Sequence, residues 1–251
     1  MNDTRILIGT AISSGIASGR ARIEQSSPGI EEETGIVSDA EIKEEVARIR
    51  PAFQLLLVVI EYTERFLKDS LSGDHMDLFA MQKVLLEEEA FRNRIFSAIR
   101  ERSLRAPQAV RQVVEEYKKR FAISEHDPVR DRVLDLEDLR IGLIDALDRP
   151  NIFFKNGRFV KKKKGGLARI AVTRDLTTRF VIEQNLENAK GIMAENGGKT
   201  SHAAILCRAL EIPCISGLKN IFSLITDGTP VTVNGTKGIA TISMIGSEDN
   251  P

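Results

Sequence analysis

Of the 18 glycines in this 251-residue chain, only Gly35, Gly73 and Gly142 fall between Glu31 and Arg149. Glycine marks turns and close backbone approaches, so this long stretch is poor in turns and the two ends are rich in them. Charge divides at the same boundaries. Glu31 to Arg149 holds 26 acidic and 19 basic side chains, a net of −7, and the remainder holds 10 and 17, a net of +7. The halves cancel, because Lys+Arg and Asp+Glu are both 36, and no overall basic excess is left to hold nucleic acid. Hydrophobic residues at 42% and charged residues at 29% are the balance of a globular chain, not a disordered one. No apolar run approaches the roughly 18 residues of a membrane span. Met1 to Arg5 leads into a short apolar stretch ending at Gly9, too short for a signal peptide. The two cysteines, Cys207 and Cys214, exclude a disulfide framework and point to a reducing, cytoplasmic compartment.

The glycine-poor middle reads as helix. Ile42, Val46, Ile49, Phe53, Leu56 and Ile60 recur at spacings of four and three, which lays one apolar seam along a helix. Ser38 with Glu41 three residues on forms a capping-box pattern at its start. Pro51 is expected to kink or break this helix near Arg50. A second helix carries Leu78, Met81 and Leu85, with Phe91, Ile95 and Ile99 continuing an apolar face beyond Glu87-Glu88-Glu89. Pro107 suits the first turn of a third, with Val110, Val113 or Val114, Tyr117 and Phe121 inward. A fourth starts after Asp127-Pro128 and carries Val129, Val133, Leu136, Leu139, Leu143 and Leu147. Short connections imply antiparallel neighbours, hence a compact helical bundle.

The ends read as mixed strand and helix. Arg5 to Ile8 and Arg20 to Ile23 are strand candidates around the turn Ser13-Ser14-Gly15. Leu167 to Val172, Gly191 to Ala194, Pro230 to Val233 and Ile239 to Ile242 are others, with helical stretches at Thr178 to Asn188 and Ser201 to Leu210. A strand pair at the start is too small to close a core and should join the C-terminal strands. The expected fold is therefore one discontinuous α/β domain, residues 1–30 and 150–251, interrupted by an all-α bundle over 31–149.

The chemistry gathers in one segment. Gly197-Gly198-Lys199-Thr200-Ser201-His202 runs into Ala203 to Arg208. Two glycines let the backbone approach an anion, and Thr200 or Ser201 can cap the helix that follows. A helix start offers free N–H groups and the positive end of a dipole to a phosphate. Lys199 adds a positive charge. An imidazole titrates near about 6.5 in water, so at pH 7 much of it keeps a free lone pair and can attack phosphorus without a general base. Phosphoryl transfer asks mainly for positioning and charge stabilisation, which such a loop can supply. Gly198-Lys199-Thr200 also looks like the tail of a nucleotide-binding P-loop, but that pattern needs glycine where Met193 stands. The plain alternative is a glycine-rich turn whose histidine does no more than begin a helix.

GGKTSHAAILCRALEIPCISG, Gly197 to Gly217, resembles the phosphohistidine signature of enzymes that use phosphoenolpyruvate: Enzyme I of the bacterial sugar phosphotransferase system, pyruvate phosphate dikinase and phosphoenolpyruvate synthase. Gly9 to Gly19 resembles the GIAVSPGIAIGK opening of Enzyme I, with Ser14 where proline is usual. Leu78-Phe79 with Val84 to Glu89 looks like its MLEDEE helix, Asp131-Arg132 with Asp135 and Asp138 like its ERAADVRD stretch, and Asp175-Leu176-Thr177 like its DLTP segment. The resemblance covers nearly the whole chain, closely after Arg174 and loosely in the helices.

The resemblance implies that His202 carries the phosphoryl group through Nε2, in a swivelling phosphohistidine domain, with Gly197, Gly198, Lys199, Thr200 and Ser201 holding the phosphoryl oxygens and Arg208 in support. It implies that the inserted bundle docks the small histidine phosphocarrier HPr, or a paralogue, through Val84, Leu85, Glu88 and Glu89. In full-length relatives a C-terminal barrel binds phosphoenolpyruvate and Mg²⁺. That barrel lies outside a chain ending at Pro251, so no cofactor is expected here, and no self-phosphorylation from phosphoenolpyruvate. A monomer is expected, since the family dimerises through the barrel. Transfer from phosphorylated carrier is expected to remain, being reversible in the family. Three further positions depart from the pattern. Val181 falls where a second threonine hydrogen-bonds the active histidine, Thr178 replaces a proline, and Gln82 replaces a docking-helix histidine, which suggests a different carrier such as a nitrogen-related paralogue.

Two other readings stand beside this one. A dikinase-like swivelling domain acting on nucleotide is disfavoured by the long helical insert. A regulatory binding module without turnover belongs to another class altogether. His75 and His126 are read as surface residues, with no zinc-ligand spacing nearby. Cys207 and Cys214, among apolar neighbours, are read as packing residues. Lys161 to Lys164 reads as a solvated turn.

Overall fold

The computed structural model describes residues 3–24, 35–70, 79–122, 129–148, 154–155, 158–159 and 168–244. In chain order these form β1 (Asp3–Ile8), β2 (Thr10–Ser13), β3 (Ile16–Ile23), α1 (Asp39–Ser70), α2 (Ala80–Glu87), α3 (Glu89–Glu101), α4 (Ala106–Ala122) and α5 (Val129–Asp148). Then follow β4 (Phe154–Lys155), β5 (Arg158–Phe159), β6 (Arg169–Asp175), α6 (Thr178–Leu186), β7 (Gly191–Asn196), α7 (His202–Ala209), β8 (Cys214–Ser216), β9 (Pro230–Asn234) and β10 (Ile239–Met244). A 3-10 turn covers Ile221–Ser223. The chain divides into two compact units, Met1–Ser26 with Arg158–Pro251, and Ser27–Gly157. The inserted unit extends a few residues beyond 31–149, because glycine content and charge do not register where contacts end. The readings of Leu78, His75, His126 and Lys161 to Lys164 fall outside the described residues.

The first unit is built on an eight-stranded sheet in the order β1-β10-β9-β3-β6-β7-β8-β2. Its centre is parallel, β3 with β6, β6 with β7 and β7 with β8, and its flanks are antiparallel. The N-terminal segment contributes three strands where two were expected, the extra one being Thr10–Ser13. Only Gly9 separates β1 from β2, yet they occupy opposite ends of the strand order, so the sheet curls until its ends meet at that residue. The corner leaves no room for a side chain, since a Cβ at Gly9 would lie 2.4 Å from the Ser216 carbonyl oxygen. One face of the sheet holds Ala21, Ile170, Val172, Met193, Ile215, Val231, Val233, Ala240 and Ile242, packed against Leu218, Ile221 and Ile225.

The second unit is helical, and its core follows the expected seams: Ile49, Phe53, Leu56 and Ile60 on α1, Phe91, Ile95 and Ile99 on α3, Val110, Val113 and Val114 on α4, and Leu136, Leu139 and Leu143 on α5. Two expectations are corrected. Pro51 does not break the first helix, which runs unbroken from Asp39 to Ser70. Pro51 and Ala47, whose carbonyl loses its intrahelical donor, are both exposed, so water can serve that oxygen while the apolar seam continues beneath. The run through Glu87-Glu88-Glu89 is not one helix but two. Glu88 adopts φ −67°, ψ 120° and separates α2 from α3, whose first turn gains the acidic Glu89 that a helix N-terminus favours. Gly142 marks a close approach of α5 to α1, where a Cβ would meet Leu56 Cδ1 at 2.8 Å.

Candidate functional site

The parallel strands β6 and β7 end side by side, and each is followed by a short connection and a helix. Thr177 caps α6, accepting from Phe180 N–H at 3.1 Å. Ser201, the second of the two cap candidates, caps α7, accepting from Ala204 N–H at 3.2 Å. Both helices therefore begin at the carboxyl edge of the sheet, where α/β folds collect their ligands. Asn196 Nδ2 donates to Asp175 Oδ1 at 3.0 Å and ties the two strand ends together.

Between β7 and α7 lies the glycine-rich loop. Gly197 has φ +154°, and a Cβ there would sit 2.9 Å from Leu176 Cβ. Gly198 faces open space, with nothing within 4 Å of an added Cβ. Gly197, Gly198, Lys199 and Thr200 are exposed and Ser201 is half-buried. His202 is the first residue of α7 and is 4% exposed. The loop is thus open to a partner while the imidazole beside it is nearly covered. Ser201 holds the loop shut at its base, its Oγ donating to the Gly198 carbonyl at 3.0 Å. Arg208 reaches back along α7 and donates through Nη1 to the carbonyls of Lys199 at 3.1 Å and Ile12 at 3.4 Å. The resemblance gave Arg208 to the phosphoryl oxygens; the structure gives its Nη1 to the loop backbone.

Ser216 was missed by sequence reasoning. It is fully buried on β8, and its Oγ donates to the Gly197 carbonyl at 2.7 Å. It lies in the signature stretch, but its role was not read there, because the contact depends on β8 pairing beside β7. Val181 is fully buried on α6 and brings no hydroxyl to the site. Cys207 and Cys214 are both buried. Burial, with the neighbouring Cys207 adding to it, pushes the Cys214 thiol well up from its ordinary range, which suits packing and not redox chemistry. Among the described residues no group of three or more His, Cys, Asp or Glu side chains could hold a metal, and no helix is long and apolar enough to cross a membrane.

The residues assigned to docking lie in the helical unit around the α2–α3 break. Val84 is 64% exposed, and Glu88 and Glu89 are also exposed. Leu85 is corrected: it is 6% exposed and belongs to the helical core, so no partner can rest on it in this conformation. Gln82 is corrected likewise. It is buried, and its Nε2 donates to the Asp135 carbonyl at 3.4 Å, fastening α2 to α5 instead of facing a carrier.

Two family profiles match the chain: "PEP-utilising enzyme, N-terminal" over residues 8–132 and "PEP-utilising enzyme, mobile domain" over residues 168–238. Phosphoenolpyruvate-protein phosphotransferases are similar over most of its length. That of Priestia megaterium is 26% identical over 94% of this chain and 39% of its own, and that of Bacillus subtilis 28% identical over 92% and 39%. The protein from Mycoplasma genitalium is 53% identical over 28% of this chain and 12% of its own. The chain spans about 39% of the length of the relatives that it matches almost throughout. Two solved structures share the fold: a solution structure of Enzyme I (nEIt), with TM-score 0.60 and 24% identity over 96% of this chain and 94% of that one, and the "N-terminal domain of Enzyme 1 - Nitrogen", with TM-score 0.62 and 22% identity over 95% and 94%.

Proposed function

The chain belongs to the PEP-utilising enzymes, as their N-terminal and mobile domains, and on that premise we propose that it passes a phosphoryl group through a phosphohistidine at His202. The two ends of the relay are a small HPr-like histidine phosphocarrier and a phosphoenolpyruvate-dependent module outside this chain. The observation that carries this reading is the placement of His202 as the first residue of a helix capped by Ser201, directly after a solvent-open diglycine loop at the carboxyl edge of the sheet. A helix start suits a phosphate, through its dipole and the N–H groups of its first turn. Lys199 supplies an exposed positive charge beside them.

In the transfer, the bond between phosphorus and the carrier's imidazole nitrogen breaks as a bond from phosphorus to His202 Nε2 forms, and the departing imidazole takes up a proton. Gly197, Gly198, Lys199, Thr200 and Ser201 would surround the three phosphoryl oxygens. The imidazole supplies the nucleophile and the loop supplies positioning and charge, which is what this class of reaction demands. Phosphoenolpyruvate and Mg²⁺ would be handled by that module. The exposed Val84, Glu88 and Glu89 on an acidic helical unit would receive a basic carrier.

Incubating the full chain with ³²P-labelled phosphorylated carrier tests the proposal. Label on the native chain and none on His202→Ala is the expected result. No label from any histidine phosphocarrier would overturn it in favour of a binding module without turnover.

A further inference from the structure

Four consecutive carbonyl oxygens run through the loop, and each already has a donor. Leu176 N–H donates to Asn196 O at 3.1 Å, Ser216 Oγ to Gly197 O at 2.7 Å, Ser201 Oγ to Gly198 O at 3.0 Å, and Arg208 Nη1 to Lys199 O at 3.1 Å. The donors come from four places: the β6–α6 connection, β8, the loop itself and the far end of α7.

This matters because of peptide geometry. The C=O of one residue and the N–H of the next share one rigid plane and point in opposite directions. Fixing an oxygen therefore aims the following N–H. Ser216 on Gly197 O aims the N–H of Gly198, and Arg208 on Lys199 O aims that of Thr200. A carbonyl turned outward would repel an anion, whereas successive N–H groups turned outward make an anion-binding concavity. Such donors act most strongly when they are held in place before the charge arrives.

We propose that Ser216 and Arg208 are positioning residues for phosphoryl transfer, pinning the carbonyls of Gly197 and Lys199 so that the loop presents its N–H groups to the phosphoryl oxygens. The proposal rests on the reading that His202 carries the phosphoryl group. Ser216 favours it by its setting. Its two neighbours before it on β8, Cys214 and Ile215, are apolar and buried, and a buried hydroxyl is costly unless bonded. Alanine would fill this place in the strand with little change of volume, and what it would lack is the bond to the loop. Arg208 favours it by its reach. Its Nη1 also donates to Ile12 O at 3.4 Å, and Ser13 Oγ donates to Cys207 O at 3.1 Å, so that loop, α7 and β2 are fastened as one piece.

The test compares Ser216→Ala, Ser216→Thr, Arg208→Gln and Arg208→Lys in the full chain. Three readouts are taken: the single-turnover rate of label transfer from phosphorylated carrier across carrier concentrations, backbone amide shifts of the loop on titration with inorganic phosphate, and the thermal midpoint. Ser216→Ala and Arg208→Gln should each lower the maximal rate about ten-fold, the scale of a small misplacement of reacting groups, with the half-saturating carrier concentration unchanged. The phosphate-induced amide shift should shrink at Gly198 in the first and at Thr200 in the second. Ser216→Thr, which keeps the hydroxyl, and Arg208→Lys, which keeps a long charged donor where the shorter glutamine amide falls short of the Lys199 carbonyl, should recover most of both. Native rates in the alanine and glutamine variants would overturn the proposal, as would losses that follow the thermal midpoint and are not recovered by threonine or lysine. Should the native chain accept no label, the phosphohistidine reading fails and the amide shifts alone decide. Native loop amides that ignore phosphate would then overturn this proposal too.

Discussion

His202 can be nearly covered and still sit at the mouth of an open loop because it is the first residue of α7, held there by a cap that owes nothing to the imidazole. The bond that relatives are expected to use, from a threonine where Val181 stands, is unavailable to this chain. Introducing it gives a measurable quantity. Val181 is fully buried, so the hydroxyl in Val181→Thr costs about 1–3 kcal/mol if it finds no acceptor. If it reaches the imidazole, that cost is offset only while His202 is present. A thermal-unfolding cycle over Val181→Thr and His202→Ala should therefore show a coupling above about 0.5 kcal/mol, whereas additivity within that margin means that no such bond forms. Ser201→Ala removes both the cap on Ala204 N–H and the tie to Gly198 O, and should destabilise by about 1 kcal/mol in the same measurement. At this scale the sequence was legible wherever the cause was local. A serine before a helix and a glycine in a tight loop act within a few residues. Ser216 acts on a loop nearly twenty positions away, through the pairing of β8 beside β7, so its place in the signature stretch did not reveal its role.

Elements were legible by period and misread at their interruptions. The four-and-three spacing on α1 survives Pro51 because the ring points to solvent. Pro51→Ala should restore the missing N–H to the exposed Ala47 carbonyl and raise the thermal midpoint, by up to about 3 kcal/mol of stability if the helix is otherwise unchanged. A lower midpoint would mean that the proline shapes the helix after all. At the α2–α3 break no proline or glycine warns of the turn, and the signal available was three successive glutamates, fitter for a helix start than for a helix interior. Within α2 the helical period turns Val84 outward and Leu85 inward. Between α4 and α5, Glu137 carries a pH signature. Partial burial alone would raise its carboxyl pKa, but Arg140 and Lys118 outweigh it and hold the group below the ordinary carboxylate range. A carboxyl depressed on folding contributes stability above its unfolded pKa and loses it as pH falls through the lower, folded value. Glu137→Gln should therefore unfold at a lower midpoint near neutral pH and converge on the native curve in acid. Parallel curves down to the acid limit would show that the carboxylate contributes nothing through its charge.

At the scale of the whole molecule, one discontinuous sheet and one helical insert share a chain of zero formal charge, divided as −7 over 31–149 and +7 elsewhere. Composition displayed that division before any element was assigned. The closure of the sheet at Gly9 was invisible to it, since that depends on two strands one residue apart finding partners at opposite ends of the strand order. The division of charge has a kinetic consequence under the proposed function. A carrier with a basic face approaching the acidic unit is steered over distances comparable to the Debye length, about 10 Å at 0.1 M salt, and steering acts on the rate of encounter more than on the lifetime of the complex. The association rate measured by stopped flow should fall about ten-fold or more between about 0.01 and 0.3 M salt, with dissociation nearly constant. Glu88→Lys with Glu89→Lys should flatten that dependence and slow association at low salt without moving the thermal midpoint, because both side chains are exposed. An association rate indifferent to salt would remove the acidic unit from the docking step, while a normal salt slope that survives the double reversal would move the contact to another face of the same unit.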